Sequence, residues 1–208
     1  MRALMSTCAA PKPTRLRLGG VLLCAALAVA WLIPVTPGPA LAQTMHDVAD
    51  PKGRFTISLP TDWTVRTVPY QGDTLLAGLG PADTDGIRPT FTVYVLPQPQ
   101  PISSEAVGKS AEPDLRHLSD YTSVEEGPTT VNGLPAYYRY FTRTRAGRSF
   151  YQMQVYIARG LEVYVISCTI LNDRTRIDRD APVMLKIIST FRMSAQHAMT
   201  GEEWGQAG

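Results

Sequence analysis

The feature that most constrains the fold is a run of four strand-like segments in the second half of the chain. They are expected at about 122–130, 136–145, 150–159 and 162–171. The turns between them fall at Asn132-Gly133, Ala146-Gly147 and Arg159-Gly160. Each turn contains a glycine that can adopt positive φ. Because strands joined by tight turns pair antiparallel, this half of the chain predicts a meander.

The last of these segments, LEVYVISCTIL at 161–171, is apolar on both sides of a strand. Val163 and Val165 lie on one side, and Tyr164, Ile166 and Cys168 lie on the other. A strand that is apolar on both faces is typical of a sheet covered on both faces.

The first half of the chain predicts further strands. Phe55, Ile57 and Leu59 alternate with polar residues in GRFTISLPTDW, which indicates a half-buried strand. Segment 63–68 is expected to be its hairpin partner, with the Trp63 ring buried. Further strands are expected at 74–79 and 90–96, and the proline-rich segment 97–101 is expected to be an extended connector.

Two helices are predicted. The first follows an N-cap at Ser103 or Ser104, and Pro113 should kink or split it. The second should run from about 180 to 191, with Asp178 or Asp180 as its cap and Pro182 in its first turn. Together these elements predict an α+β fold, an antiparallel sheet of about seven or eight strands with helices on both faces.

Residues 1–42 predict a secretory signal peptide. A basic segment precedes the apolar run 18–33, and Ala40-Leu41-Ala42 provides a small-x-small cleavage site. We therefore expect export by the general secretory route to the periplasm or the outside, with an uncleaved N-terminal anchor as the alternative. Residues 43–52 are expected to be a short lead-in, 53–192 the domain and 193–208 a flexible tail.

Removal of residues 1–42 changes the charge and the cysteine count. The whole chain has 20 basic and 18 acidic residues, and four of the basic ones lie in this segment, which leaves a net charge of −2. Nucleic acid is therefore not an expected partner. Only Cys168 remains, so no intramolecular disulfide is expected.

Three stretches in the same order carry a family resemblance. They are GRFTISLPTDW at 53–63, VNGLPAYYRYF at 131–141, and EVYVISCTI followed by PVMLKIISTFR near the end. Together they resemble PsbP-like domains over roughly 53–192. The resemblance implies the PsbP-like α-β-α sandwich, which DcrB-like periplasmic proteins and Ran-binding Mog proteins also have. It implies binding or assembly rather than catalysis, and no family site residues transfer to this chain.

The candidate catalytic and metal-binding residues favour structural interpretations. Cys168 lies mid-strand and is expected to be a small buried hydrophobe rather than a nucleophile. The three histidines, His46, His117 and His197, have no metal-ligand spacing, so neither a metal nor another cofactor is expected.

Two charged segments also favour structural interpretations. The stretch Asp83-Thr-Asp85-Gly86 indicates a turn rather than a calcium loop, because no later bidentate glutamate follows. The alternating charges of 173–180 indicate a self-paired surface with a helix cap.

The most suggestive cluster lies on the hairpin 137–151. Its candidate binding residues are Arg139, Arg143, Arg145, Arg148 and Tyr137. The first three of these arginines share one face of a strand with Phe141, and Tyr138, Tyr140 and Tyr151 lie near them. Arginine with tyrosine is typical of interfaces and could hold an acidic partner or an anionic lipid head. The alternative is an exposed hairpin face with no partner.

The sequence therefore favours an exported, non-catalytic domain that binds a protein partner in the cell envelope or helps an envelope assembly. A small-ligand or lipid-binding module is the alternative, and an enzyme is a third possibility.

Overall fold

The computed structural model describes residues 43–194. The predicted signal peptide and residues 195–208 of the predicted tail lie outside this range. The described residues form ten strands and three helices. In chain order these are β1 (Met45–Ala49), β2 (Phe55–Pro60), β3 (Thr64–Tyr70), β4 (Asp73–Leu79), β5 (Thr90–Pro97), α1 (Ser104–Ser110), α2 (Glu112–Leu115), β6 (Thr122–Val131), β7 (Leu134–Arg145), β8 (Arg148–Arg159), β9 (Glu162–Leu171), α3 (Arg174–Ser189) and β10 (Arg192–Met193).

Seven strands form one antiparallel sheet in the order β3-β4-β5-β9-β8-β7-β6. The predicted meander is confirmed, since β6 to β9 pair with their neighbours in sequence. Strand β5 pairs with the other side of β9 and so joins the two halves of the chain. The β7–β8 turn uses Ala146 and Gly147, both at positive φ, 50° and 72°.

The N-terminal strands differ from the prediction. Strand β2 does not pair with β3; it pairs with β1 and β10 in a separate three-stranded sheet. Residues 45–49, expected within a lead-in, therefore form a strand. Their apolar pattern is weak because Met45 and Val48, which pack against the core, do not alternate as in a half-buried strand. Backbone pairing with β2 fixes this strand in place. After β2 the chain turns at Pro60–Trp63 and crosses to the larger sheet, where the Trp63 ring is buried as predicted.

Pro113 splits the first predicted helix into α1 and α2, and Ser103 caps α1 by accepting a hydrogen bond from the Ala106 N–H. The expected start of α3 is wrong. The helix begins at Arg174, because Asp173 accepts a hydrogen bond from the Arg176 N–H at 3.1 Å and caps it. Pro182 consequently lies inside α3, and the buried residues around it hold the helix together despite the missing backbone donor.

Helices cover both faces of the seven-stranded sheet, as predicted. Strand β9 shows the division: Val163 and Val165 pack with Val107 of α1, whereas Ile166 packs on the opposite face with Met184 of α3. The three-stranded sheet also packs on the side of α3. We name the two sides of the large sheet the α1 face and the α3 face.

Candidate functional site

The β7–β8 hairpin divides its arginines and most of its tyrosines between the two faces of the sheet. Side chains alternate along a strand, so Arg139, Arg143 and Arg145 share the α1 face. Tyr138 and Tyr140 point to the α3 face, where their ring centroids are 5.0 Å apart. The single arginine–tyrosine patch expected from the sequence is therefore two separate surfaces.

Two of the five candidate residues are buried and do not belong to an exposed surface. Tyr137 is 2% exposed and packs under α1, where a β-carbon on Gly108 would lie only 2.3 Å from its ring. Arg139 is 1% exposed. Its Nε donates to Glu126 at 2.6 Å, and its Nη2 lies 3.1 Å from a Glu112 oxygen.

These contacts give Arg139 a structural role. Burial alone would lower the pKa of Arg139, but its hydrogen bond with Glu126 and the charge of Glu112 raise the pKa above its ordinary value. Arg139 thus holds the segment around α2 and the edge strand β6 onto the sheet. It is a structural arginine that no external ligand can reach.

The other three candidates come together at the open end of the α1 face. There Arg143, Arg145 and Arg148 line a cleft of about 560 Å³ with a fourth arginine, Arg88. We call this opening the arginine cleft. Its remaining lining residues are Ile87, Thr90, Ala146, Phe150 and Thr169.

Strand register places these residues side by side. Arg145 lies opposite Arg148 in the last pair before the turn, and Arg143 lies opposite Phe150. Thr169 of β9 pairs with Thr90 of β5 and completes the floor. The cleft therefore spans the ends of four adjacent strands, and one of these strands, β5, is far from the hairpin in sequence.

No carboxylate among the described residues neutralises the charges of the arginine cleft. Within residues 43–194, no carboxylate forms an ion pair with Arg143, Arg145 or Arg148. In the same range, the Arg88 side chain donates only to the carbonyl of Gly80, at 2.9 Å. The Arg143 Nε is buried without an acceptor in this part of the chain. Burial and the charge of Arg145 hold the pKa of Arg143 below its ordinary value, which an anion in the cleft would reverse.

The loop 80–89 forms the second wall and is fastened to α3. Asp83 accepts two hydrogen bonds from Arg179, at 2.7 and 3.1 Å, and Arg176 lies 3.0 Å from Asp85. The hydrogen bonds from Arg179 lower the pKa of Asp83. Because these acids pair with α3, they provide no counter-charge to Arg88 and the other cleft arginines.

The charged segments 83–86 and 173–180 have structural roles, as the sequence predicted. The first segment forms the predicted turn, with the Gly86 N–H donating to the Asp83 carbonyl. The second is self-paired in part, through Arg174 with Asp178. Sequence analysis did not find the ion pairs between the two segments, because their residues are about 95 positions apart and nothing local links them.

The candidate catalytic and metal-binding residues Cys168, His46 and His117 do not line the arginine cleft. Cys168 is fully buried, and burial raises the pKa of its thiol, which confirms it as a small buried hydrophobe. His46 and His117 are exposed, and His197 lies outside the described residues. Across 43–194 there is no cluster of three or more metal-binding side chains, and no helix is long and apolar enough to cross a membrane.

The seven-stranded sheet and the helices packed on its α1 face and α3 face give the chain the PsbP-like α-β-α sandwich fold. No protein-family model and no curated protein matches the sequence. A solution structure of cyanobacterial PsbP from Synechocystis is similar over 76% of this chain and 96% of its own, with 11% identity and a TM-score of 0.53. The predicted resemblance to PsbP-like domains is confirmed for the fold.

Two further solved structures are similar. A crystal structure from Bacteroides thetaiotaomicron matches 74% of this chain and 50% of its own, with 13% identity and a TM-score of 0.51. The crystal structure of LpqN, involved in cell envelope biogenesis of Mycobacterium tuberculosis, covers 73% of this chain and 91% of its own, with 17% identity and a TM-score of 0.49.

Proposed function

We propose that the chain is an exported, non-catalytic accessory domain that binds an anionic component of the cell envelope in the arginine cleft. One observation carries the proposal: four arginines converge on one opening, and none of them is paired with a described carboxylate. Arginine is always charged at neutral pH, and its planar fork matches carboxylate and phosphate groups. Such a concentration of unpaired charge favours an anionic ligand.

The composition of the cleft supports binding rather than catalysis. Its lining consists of arginine, threonine and apolar residues. Arginine does not lose its proton in proteins, and threonine needs a neighbouring base to act as a nucleophile. The one cysteine after residue 42 is sealed in the core on the opposite face. Export is supported by the sequence of residues 1–42.

A second candidate function is docking of an acidic segment of a protein partner. The composition of the rim favours it, because arginine and phenylalanine are enriched in protein interfaces. The volume of about 560 Å³ favours the first candidate, because clefts of roughly 300–1,000 Å³ are typical of small-molecule sites.

The test compares two triple variants with the same change in charge. In the cleft variant, Arg143, Arg145 and Arg148 are replaced by Gln. In the control variant, the exposed residues Arg66, Lys186 and Arg192 are replaced by Gln. We expect the wild-type protein and the control variant to be retained on isolated envelope material at low salt. We expect the cleft variant to remain in the supernatant.

The retained fraction is measured by sedimentation and immunoblotting, and unfolding curves check that both variants fold. Equal retention of the cleft variant and the control variant would contradict the proposed function. If trypsin treatment of the envelope material abolished binding, the protein partner would be the correct candidate.

A further inference from the structure

The number of arginines in the cleft restricts the anion that fits it. A single carboxylate carries one charge and two oxygens, and one guanidinium fork can satisfy both. The cleft presents four guanidinium groups, two of them on directly paired residues, Arg145 and Arg148. A phosphoryl group carries a charge of about −1.5 to −2 and three strong acceptor oxygens, so it can bind several of these groups together.

The floor of the cleft adds a hydroxyl donor. Gln152 donates from Nε2 to the Thr169 hydroxyl oxygen at 3.0 Å. The Thr169 hydroxyl therefore accepts a hydrogen bond from Gln152, and the hydroxyl proton of Thr169 remains available to donate to a ligand in the cleft. Thr90, its strand partner, provides a second hydroxyl beside it. Neutral donors between cations suit an anion with several oxygens.

The apolar part of the lining indicates what is attached to the anion. Phe150 lies on the floor between the threonines and the arginine-bearing strand, and Ile87 and Ala146 lie on the two opposite walls. An inorganic ion would leave these surfaces unused. An organic group attached to the phosphoryl group would cover them.

Resting on the anion-binding function above, we propose that the arginine cleft is a binding site for a phosphoryl group, carried by a phosphate ester or a pyrophosphate ester whose organic part packs against Phe150. Arg143, Arg145 and Arg148 hold the phosphoryl oxygens from one wall and Arg88 from the other. The source of the group is either a soluble ester or a phospholipid headgroup.

The test is isothermal titration of the purified protein with pyrophosphate and with citrate, a multiply charged carboxylate. We expect wild type and the control variant to bind pyrophosphate roughly tenfold or more tightly than citrate. We expect the cleft variant to lose at least about tenfold in pyrophosphate affinity, because it lacks three charge-assisted hydrogen bonds. The affinity of wild type should also fall as salt is added.

The outcomes separate this inference from the proposed function. Equal affinity for pyrophosphate and citrate, or pyrophosphate binding unchanged in the cleft variant, would overturn the phosphoryl site. Absence of pyrophosphate binding by wild type would also overturn it. In each case, loss of the cleft variant from envelope material would still support the general anion-binding function.

Vesicles identify the source of the phosphoryl group. Phosphatidylcholine vesicles with and without phosphatidic acid, which exposes a phosphomonoester, are sedimented with each variant. Retention that depends on phosphatidic acid and on the cleft arginines supports a lipid headgroup. Pyrophosphate binding without vesicle retention supports a soluble ester. Retention that depends on phosphatidic acid but is equal for the cleft variant would overturn the lipid headgroup as the source of the group.

Discussion

Arg139 and Arg143 lie four residues apart on one strand and one face, yet they belong to different kinds of region. Arg139 is sealed under the α2 segment between Glu112 and Glu126, and its charge is matched by theirs. Arg143 belongs to the arginine cleft, where the neighbouring charges have its own sign. One region uses arginine to hold the fold together, whereas the other concentrates charge that the fold does not need.

The largest expected effect comes from breaking the first region. Arg139→Met keeps much of the side-chain volume but removes the buried cation between Glu112 and Glu126. Glu112 keeps its ion pair with the exposed Arg116. We expect a loss of about 3 kcal/mol in unfolding free energy, at the low end for a broken buried pair because both carboxylates retain contact with water. Chemical denaturation measures the loss.

A control variant sharpens this comparison. Arg139→Met combined with Glu112→Gln and Glu126→Gln removes all three charges, so it should recover part of the stability. An Arg139→Met protein as stable as wild type would show that Arg139 is not a structural arginine.

The second region should respond in the opposite direction. Like charges directly across a strand pair destabilise it, and Arg145 faces Arg148. Without ligand, the cleft variant should therefore have an unfolding free energy at least equal to that of wild type at low salt, with a gain of up to about 1 kcal/mol. This gain should shrink at high salt. Thermal unfolding at two salt concentrations measures this. A destabilised cleft variant would mean that these arginines serve the fold after all.

The smallest expected effect concerns the second wall of the cleft. The pKa of Asp83 is lowered in the folded protein by Arg179, whereas in the unfolded chain it is about 3.9. Its contribution to stability is thus present above pH 4 and is lost as the pH falls through the lower, folded pKa. We expect Asp83→Asn to reduce the loss of stability between pH 5 and pH 3. Identical acid unfolding curves for the variant and wild type would show that the Asp83–Arg179 ion pair does not contribute to stability.

Local pattern predicted much of the fold and less of the site. The turns and alternation of 122–171 are local, and they gave the meander and the covered strand β9 correctly. Which strands pair with each other is not determined by local pattern. Strand β2 pairs with β1 and β10 rather than with β3, and the apolar alternation of β2 is compatible with either arrangement. The face shared by Arg139 and Arg143 was visible from their spacing, but their different burial depends on where α2 ends, which sequence reasoning could not locate.

Arg88 was missed for the same reason. It follows a turn 49 residues before the hairpin 137–151, and only the pairing of β5 with β9 brings it near Arg143. The one usable clue was the absence of an acid in 87–97, directly after the acidic turn.

The burial of Cys168 has a practical consequence for studies of the cleft. It is the only cysteine after residue 42, and its thiol is enclosed by apolar side chains. A thiol-reactive fluorophore should therefore not label the folded wild-type domain. Ala146→Cys keeps a β-carbon at the exposed turn residue between Arg145 and Arg148. A dye attached there would sit at the mouth of the cleft and report occupancy directly.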